Sequence, residues 1–385
     1  MYNLFSEPSK AANAKLRRPI AHLYTMSQLL SYEAAIDTCT GLLLDRLHTY
    51  AQATKRLDVR DLMQQYAFDV IGEITVGSQF GLMRDGGDKN GVIEAMANTL
   101  KYGAVVGLVP VIHWWAGKLG HLLRIEPSFG RVTRFVTFHI DNRSSGLVKP
   151  PDDRQDFLRK LLQLEAKGKI TRRDTFNACL SNIAVGSDTM AIALSSVIAY
   201  LCLHPAHLAT LRDELNMAAA RGELSDPASY NEAKRLPFLR AIINEALRIH
   251  PVVGQPMVRV IGEGGAHIAG RYFPPGTEVG VNPWVIHKNT AIFGHDAPEF
   301  RPERWLTKNS REARALDENF LAFGAGPRSC IGKNISLLEM YKVIPQIARK
   351  FDFEIQTDKK SGRQLTWNTA WFVKPSFTCL VRKIA

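Results

Sequence analysis

Apolar residues recur at helical spacing through the first two-thirds of the chain. Between Met26 and Thr49 they fall at Leu29, Leu30, Ala34, Ile36, Leu42, Leu43 and Leu47, and Leu62 to Ile74 continues the pattern. Both stretches predict helices. Residues 143–153 are polar, contain Pro150 and Pro151, and predict a surface loop. A long helix is predicted from about Arg173 to Leu203. It stops before Pro205, because proline disfavours helical backbone in the residue ahead of it. At 1.5 Å per residue, about thirty residues make a rod on the order of 45 Å, enough to cross a whole domain. Shorter helices follow, including Phe238 to Ile249 ahead of Pro251.

The character changes from Val258 to Trp284. Gly262, Gly264, Gly265, Gly270, Pro274, Pro275 and Gly276 punctuate short β-type runs such as Glu278 to Val281. Another helix follows Cys330, with Ile331, Ile335, Leu338 and Ile344 as its apolar positions. Alternation returns at Phe351, Phe353 and Ile355, then at Ser376 to Val381. No internal repeat or low-complexity tract interrupts the chain. The fold class expected is mainly α with a smaller β part, in one domain over residues 1–385.

Composition narrows this picture. Hydrophobic residues make up 45% and charged residues 22%, so a packed core is feasible. The net charge of +12 suits an anionic membrane, nucleic acid or an acidic protein, and cannot choose among them. The five cysteines, Cys39, Cys179, Cys202, Cys330 and Cys379, are widely spaced and contain no CxxC pair. A disulfide framework and a tetrahedral zinc site are therefore not expected, and a reducing compartment is. No signal peptide and no apolar run of membrane-spanning length is evident. The nearest is Tyr102 to Gly117, free of Asp, Glu, Lys and Arg but containing Pro110 and His113. It reads as a core or interfacial segment, with core packing favoured.

The densest chemical signal is Phe323-Gly324-Ala325-Gly326-Pro327-Arg328-Ser329-Cys330-Ile331-Gly332. Glycines permit tight turns and close approach to a flat ligand. The loop opens onto the next helix, where the helix dipole favours a thiolate at Cys330, and Arg328 adds a positive charge. A phosphate loop is the alternative, but the string lacks the Lys-Ser/Thr ending of a P-loop. A buried structural cysteine is the other.

This string resembles the cysteine-ligand loop of the cytochrome P450 family, Phe-x-x-Gly-x-Arg-x-Cys-x-Gly. Phe323, Gly326, Arg328, Cys330 and Gly332 fill its fixed positions. The resemblance implies that Cys330 ligates haem iron through an axial thiolate and that Arg328 pairs with a haem propionate. Thiolate ligation favours O–O cleavage. Glu245-Ala246-Leu247-Arg248 resembles the family's Glu-x-x-Arg helix, with both side chains on one face. The segment Phe300 to Trp305 resembles the one supplying a third member, Arg304. The implied network of Glu245, Arg248 and Arg304 would hold the fold behind the haem.

Val185-Gly186-Ser187-Asp188-Thr189 resembles the oxygen-activation turn of the family's central helix. Asp188 and Thr189 would then deliver protons. Relatives usually carry alanine at the position of Val185 and often a small hydroxyl residue at that of Met190. Val185 and Val253 are expected to face substrate. At the start, Asn13 to Arg18 resembles the helix in which an aromatic residue precedes an arginine by four positions. Arg17 matches the propionate-binding arginine, with Arg259 as a further candidate, and Asn13 stands at the aromatic position.

That helix normally lies well into a full-length relative, so the chain is expected to be N-terminally truncated. The portion expected to be absent carries the membrane anchor and first strands. Leu16 to Ile20, Gly332 to Met340 and Trp371 to Lys374 resemble the fungal pisatin demethylase-like subgroup. The resemblance implies a monooxygenase that places one atom of O2 on a small apolar organic substrate, in secondary metabolism or detoxification. Electrons would come from NADPH through cytochrome P450 reductase, and no nucleic acid partner is expected. It implies residence at the endoplasmic reticulum membrane, with a cytoplasmic location as the alternative for an anchorless chain. Two rival readings stay open: a haem-binding but catalytically impaired remnant, and a non-enzymatic basic interaction protein.

Overall fold

The structure, a computed structural model, describes residues 3–109, 111–122, 128–147, 155–358, 362–369 and 371–384. Helix α1 (Lys10–Arg17) begins at Ser9, whose side chain accepts from the Ala12 N–H. Helix α2 (Glu33–Ala53) buries Ala35, Ile36, Cys39, Leu43 and Leu47, a stripe at helical spacing. The single helix predicted from Met26 breaks ahead of it into short turns. There the Ser31 hydroxyl donates to the Gln28 carbonyl (2.7 Å), a local bond that competes with helix propagation. Strand β1 (Leu57–Asp58) leads into α3 (Val59–Val76), which Asp58 caps by accepting from the Asp61 N–H. Helix α3 is buried on nearly all sides, from Leu62 through Val76.

Helices α4 (Val92–Leu108) and α5 (Val111–Leu122) carry the uncharged stretch. The expected core packing of this stretch is wrong. Leu108 is 78% exposed and Trp115 62% exposed, with Val111 and Trp114 also open. The reason lies in α4, whose buried residues Val92, Ala95 and Met96 all sit in its first turns, so its far end leaves the core. The polar loop predicted at 143–153 lies outside the described residues from 148 onward.

The predicted long rod is present as α6 (Arg172–Leu203), 32 residues that are mostly buried inside the protein. It consists of an α segment Arg172–Leu180, a π turn Ser181–Gly186 and an α segment Ser187–Leu203. By length and composition it could cross a membrane, but it packs against α3 as a core helix. Helix α7 (Pro237–Ile249) starts with proline at its first position and ends before Pro251. Helix α8 (Lys333–Lys350) follows the cysteine loop.

The strands are short. β2 (Met257–Val260) pairs antiparallel with β5 (Glu278–Val281), and β3 (Ala266–Ile268) with β4 (Arg271–Phe273). β6 (Phe351–Gln356) and β1 flank β9 (Thr378–Lys383) in a three-stranded sheet. β7 (Thr366–Thr369) pairs with β8 (Val373–Ser376). Ahead of β8, Val253 bridges Phe372, and the Val373 N–H donates to the Val252 carbonyl (2.9 Å). The Gly254 N–H donates to the Trp371 carbonyl (3.2 Å). These bonds tie the C-terminal hairpin to the segment after α7.

Candidate active site

The cysteine loop closes on itself before α8 begins. The Cys330 N–H donates to the Phe323 carbonyl (2.8 Å), and the Ser329 N–H to the Gly326 carbonyl (3.0 Å). Gly324 and Gly326 both adopt φ of +67°, a left-handed conformation that explains glycine at these two positions. Gly332 caps α8 from its N-terminal side.

Cys330 retains exposed surface, while neighbouring atoms crowd it on its other sides. Desolvation pushes its thiol above the usual cysteine range. The Gly332 and Lys333 N–H groups and the positive charges of Arg17 and Lys333 oppose this. The helix terminus therefore acts as expected but does not win. The positive charge felt at the sulfur is also not Arg328. Arg17 Nη1 donates to the Ser329 carbonyl (2.7 Å), which sets Arg17 against the loop. Arg328 Nη2 turns instead to the carbonyls of Glu7 and Pro8. Asn13 is buried and its amide donates to the Leu4 carbonyl (2.9 Å), so it too secures the N-terminal segment.

Arg259 lies exposed on β2 and donates to the neighbouring Val258 carbonyl (2.7 Å), apart from the loop's hydrogen bonds. It shares a strand face with Met257, whose sulfur would lie 3.5 Å from a Cβ at Gly324.

Across from the loop stands the π turn of α6. Ser181, Val185 and Thr189 recur every four residues and are part-exposed, as are Ala184 and Gly186, while Asn182, Ile183, Ser187, Asp188 and Met190 are buried. One face of an otherwise buried helix is thus accessible. Tyr24 links the two sides. Its hydroxyl donates to Asn182 Oδ1 (2.7 Å), and its carbonyl accepts from Asn334 Nδ2 in the first turn of α8 (2.9 Å). Burial, with Cys179 and Cys330 nearby, pushes the Tyr24 phenol far above its ordinary value.

The Thr189 hydroxyl donates back to the carbonyls of Val185 (2.9 Å) and Gly186 (3.2 Å). Asp188 Oδ1 pairs with Lys374 Nζ of β8 at 2.6 Å. Among the described residues, buried Asp188 Oδ2 has no hydrogen-bond partner, and neither has Asn182 Nδ2. Unpaired buried polar atoms are costly, and two beside one helical notch fit a place where water or a reacting group is bound. Val253 meets the same region through its bridge to Phe372, two residues before Lys374.

Behind the loop lies a saturated charge network. Arg248 Nε and Nη2 donate to Glu245 Oε2 (2.8 Å) and Oε1 (2.7 Å), and Arg304 Nε donates to Oε1 (2.9 Å). Trp305 Nε1 completes the set on Oε2 (2.8 Å). All three charged side chains are buried. Arg248 also donates to the carbonyls of His287 (2.6 Å), Ala297 (2.7 Å) and Glu299 (2.8 Å).

Sequence reasoning missed His287. Its Nε2 accepts from the Leu321 N–H (2.8 Å), so Nδ1 carries the proton and donates to the Arg248 carbonyl (2.8 Å). The ring therefore connects the network to the start of the cysteine loop. Burial lowers its pKa from 6.5 to about 4. Nothing in its local sequence, Val285-Ile286-His287-Lys288, marks that role. Lys374 was also missed as a site residue, although the segment Trp371 to Lys374 stood out as a subgroup signature.

A thiol in a cradle of N–H groups, an arginine charge at its side and an accessible, mostly apolar helix face make a donor set that suits haem. The family model for cytochrome P450 matches residues 3–379. A pisatin demethylase of Fusarium vanettenii is 42% identical over 385 residues, covering 99% of this chain and 73% of the relative. The cytochrome P450 monooxygenase cicH of Emericella nidulans is 34% identical, over 97% of this chain and 75% of its own. The monooxygenase ACRTS1 of Alternaria alternata is 30% identical, over 96% of this chain and 99% of its own. A crystal structure of a cytochrome P450 (CYP102L1) matches with a TM-score of 0.81 at 24% identity, covering 99% of this chain and 81% of that one. Sequence and fold agree over almost all of its length, so this chain belongs to the cytochrome P450 family of haem monooxygenases.

Proposed function

We propose that Cys330 is the axial thiolate ligand of a haem, and that the chain hydroxylates or dealkylates a small apolar organic substrate in fungal secondary metabolism or detoxification. The observation that carries this is the loop itself, in which the Cys330 sulfur faces the Gly332 and Lys333 N–H groups beside the Arg17 charge. Arg17 and Arg328 flank the loop as propionate partners, and Arg259 is a further candidate from β2. Phe323, Gly326 and Gly332 shape the loop. When bound, haem supplies the activation of O2 from which one oxygen atom reaches the substrate. Val185 and Val253 shape the substrate space. Asp188 holds a proton-accepting oxygen in the buried notch, and Thr189 is a hydroxyl donor at its edge. Electrons come from NADPH through cytochrome P450 reductase, whose acidic surface would complement a net charge of +12.

A carbon monoxide difference spectrum of the reduced protein tests the ligand. The expected result is the red-shifted Soret band of thiolate ligation, absent in Cys330→Ser. A well-folded protein without that band would overturn the assignment. Incubation with reductase and NADPH then tests turnover.

We also place the chain on the cytoplasmic face of the endoplasmic reticulum, with α4 and α5 at the lipid interface. Exposed Leu108, Val111, Trp114 and Trp115 form a patch of the kind that seats in headgroups, with Lys118 Nζ 3.6 Å from the Trp114 ring. Flotation with anionic vesicles should carry the protein upward, and Trp114→Ser/Trp115→Ser should leave it at the bottom. Equal flotation of both proteins would refute the placement.

A further inference from the structure

Two carboxylates and a lysine elsewhere in the protein show how this chain fills buried ionic groups. Asp69 has both oxygens filled: Oδ1 accepts from the N–H groups of Gly81 (2.8 Å) and Leu82 (3.1 Å), and Oδ2 from Met83 (2.9 Å). Glu245 is likewise saturated. Lys342, its side chain 2% exposed, reaches Glu33 (3.3 Å), Asp37 (2.9 Å) and the Ala228 carbonyl (2.6 Å), one acceptor for each ammonium proton.

The Asp188–Lys374 pair is built differently. Asp188 is buried with only Oδ1 engaged among the described residues. Asp37 beside Lys342 also has one oxygen without a hydrogen bond, but here the cation is open as well. The Lys374 side chain is 19% exposed and makes a single hydrogen bond among the described residues, so its remaining protons face solvent. The pair thus runs from water at one end to an open carboxylate oxygen at the other.

The backbone holds that geometry in place. Lys374 lies in β8, paired with Asn368 of β7. The residue before it is clamped on both sides. The Val373 N–H donates to Val252 (2.9 Å), and its carbonyl accepts from His250 Nε2 (2.7 Å). Alternation along the strand puts Val373 into the core and turns Lys374 the other way, toward α6.

We propose that Lys374 is a positioning residue for proton delivery, holding the buried Asp188 carboxylate from β8 and resupplying it with protons from solvent. This rests on the assignment of Asp188 to proton delivery. In the step, a proton leaves Lys374 Nζ for Asp188 Oδ1, the neutral carboxyl turns and passes that proton inward, and the neutral amine regains one from water. The charges of the pair are then restored. A buried carboxylate whose only cation is removed becomes an uncompensated charge, so Lys374 acts through Asp188 even when it never meets substrate.

The test uses the haem-loaded protein with reductase and NADPH, without added substrate. Reduced O2 then leaves as hydrogen peroxide, with one NADPH and one proton consumed per O2, or as water, with two NADPH and two protons. Slow proton delivery favours the first route. Lys374→Met should raise peroxide released per NADPH several-fold and enlarge the solvent deuterium effect on NADPH oxidation. Lys374→Arg keeps the charge that holds Asp188 but does not give up a proton, so it should restore stability while leaving both readouts raised; a purely structural role would return both to wild type. If Lys374→Met loses the thiolate band, Lys374→Gln replaces it. A second readout is independent of turnover: in urea denaturation, Lys374→Met should destabilise the wild-type background more than an Asp188→Asn background. Unchanged peroxide yield and isotope effect in a variant that keeps the thiolate band would overturn this proposal alone. Absence of the band in the wild-type protein would instead overturn the proposed function, and this proposal with it.

Discussion

Replacing His287 by phenylalanine should weaken both the fold and the cysteine loop. The ring shape is kept, including its stacking on Phe320 at 5.7 Å and its edge contact with Phe293. What is lost is a pair of hydrogen bonds, leaving the Leu321 N–H and the Arg248 carbonyl without that partner. A buried group left unpaired costs about 1–3 kcal/mol, so the two together predict a loss of about 2–5 kcal/mol at pH 7. Because Leu321 opens the loop that ends at Cys330, the thiolate Soret band should also fall in proportion to total haem. The pH dependence has a definite sign. His287 titrates at about 4 in the fold against 6.5 as an ordinary histidine, so the folded state prefers the neutral ring. Its contribution is fully present above pH 6.5 and is lost as pH falls toward 4. By pH 5 the wild-type protein has given up about 2 kcal/mol of it. The phenylalanine variant cannot lose this, so the stability gap should narrow by that amount between pH 7 and pH 5. His250, also lowered to about 4 by burial, remains in both proteins and cancels in the comparison. Urea titrations at the two pH values measure the gap. A variant within about 0.5 kcal/mol of wild type at pH 7, or a gap that widens in acid, would refute the reasoning.

Two further expectations follow from single positions. Glu339 is fully buried, its Oε2 has no hydrogen-bond partner among the described residues, and burial pushes its carboxyl well above the ordinary glutamate range. Its stabilising neutral form is present below the unfolded-state value and is lost as pH rises through the folded one. Glu339→Gln should therefore match wild type near pH 4 and exceed it at pH 8, and equal urea midpoints at both would contradict this. At Gly254 an added Cβ would sit 2.8 Å from Val373 Cγ2, so Gly254→Ala should lower stability by about 1–3 kcal/mol. Gly262→Ala, which meets nothing within 4 Å, serves as the control in the same thermal melt.

What the sequence revealed depended on how far apart the cooperating residues lie. The ten residues from Phe323 to Gly332 sit side by side, so their turn geometry and chemistry could be read together. Glu245 and Arg248 share one helical turn, and the long rod announced itself by its apolar run and by Pro205. His287 and Lys374 gave no such sign. His287 serves Leu321 across 34 positions, and Lys374 serves Asp188 across 186. Neither spacing carries a periodicity. The direction of a long side chain was equally hidden. Arg328 turned to the carbonyls of Glu7 and Pro8, while Arg17 supplied the charge beside the sulfur. The uncharged stretch from Tyr102 misled for a related reason. Its composition suits a core, but the helix carrying it buries only its beginning.

The π turn at Ser181–Gly186 is in effect a single extra residue stored inside a helix. Each residue of an α-helix advances the next by about 100°, so length and rotational phase are locked together there. Removing one residue from this turn would let the rod heal into a plain α-helix. One half would then have to rotate against its packing, either Ser187–Leu203 on α3 or Arg172–Leu180 ahead of it. An insertion or deletion in a surface loop leaves the helices in phase, but here one residue decides which way Asp188 and Thr189 point. Natural variation across these six positions should therefore hold their number almost constant.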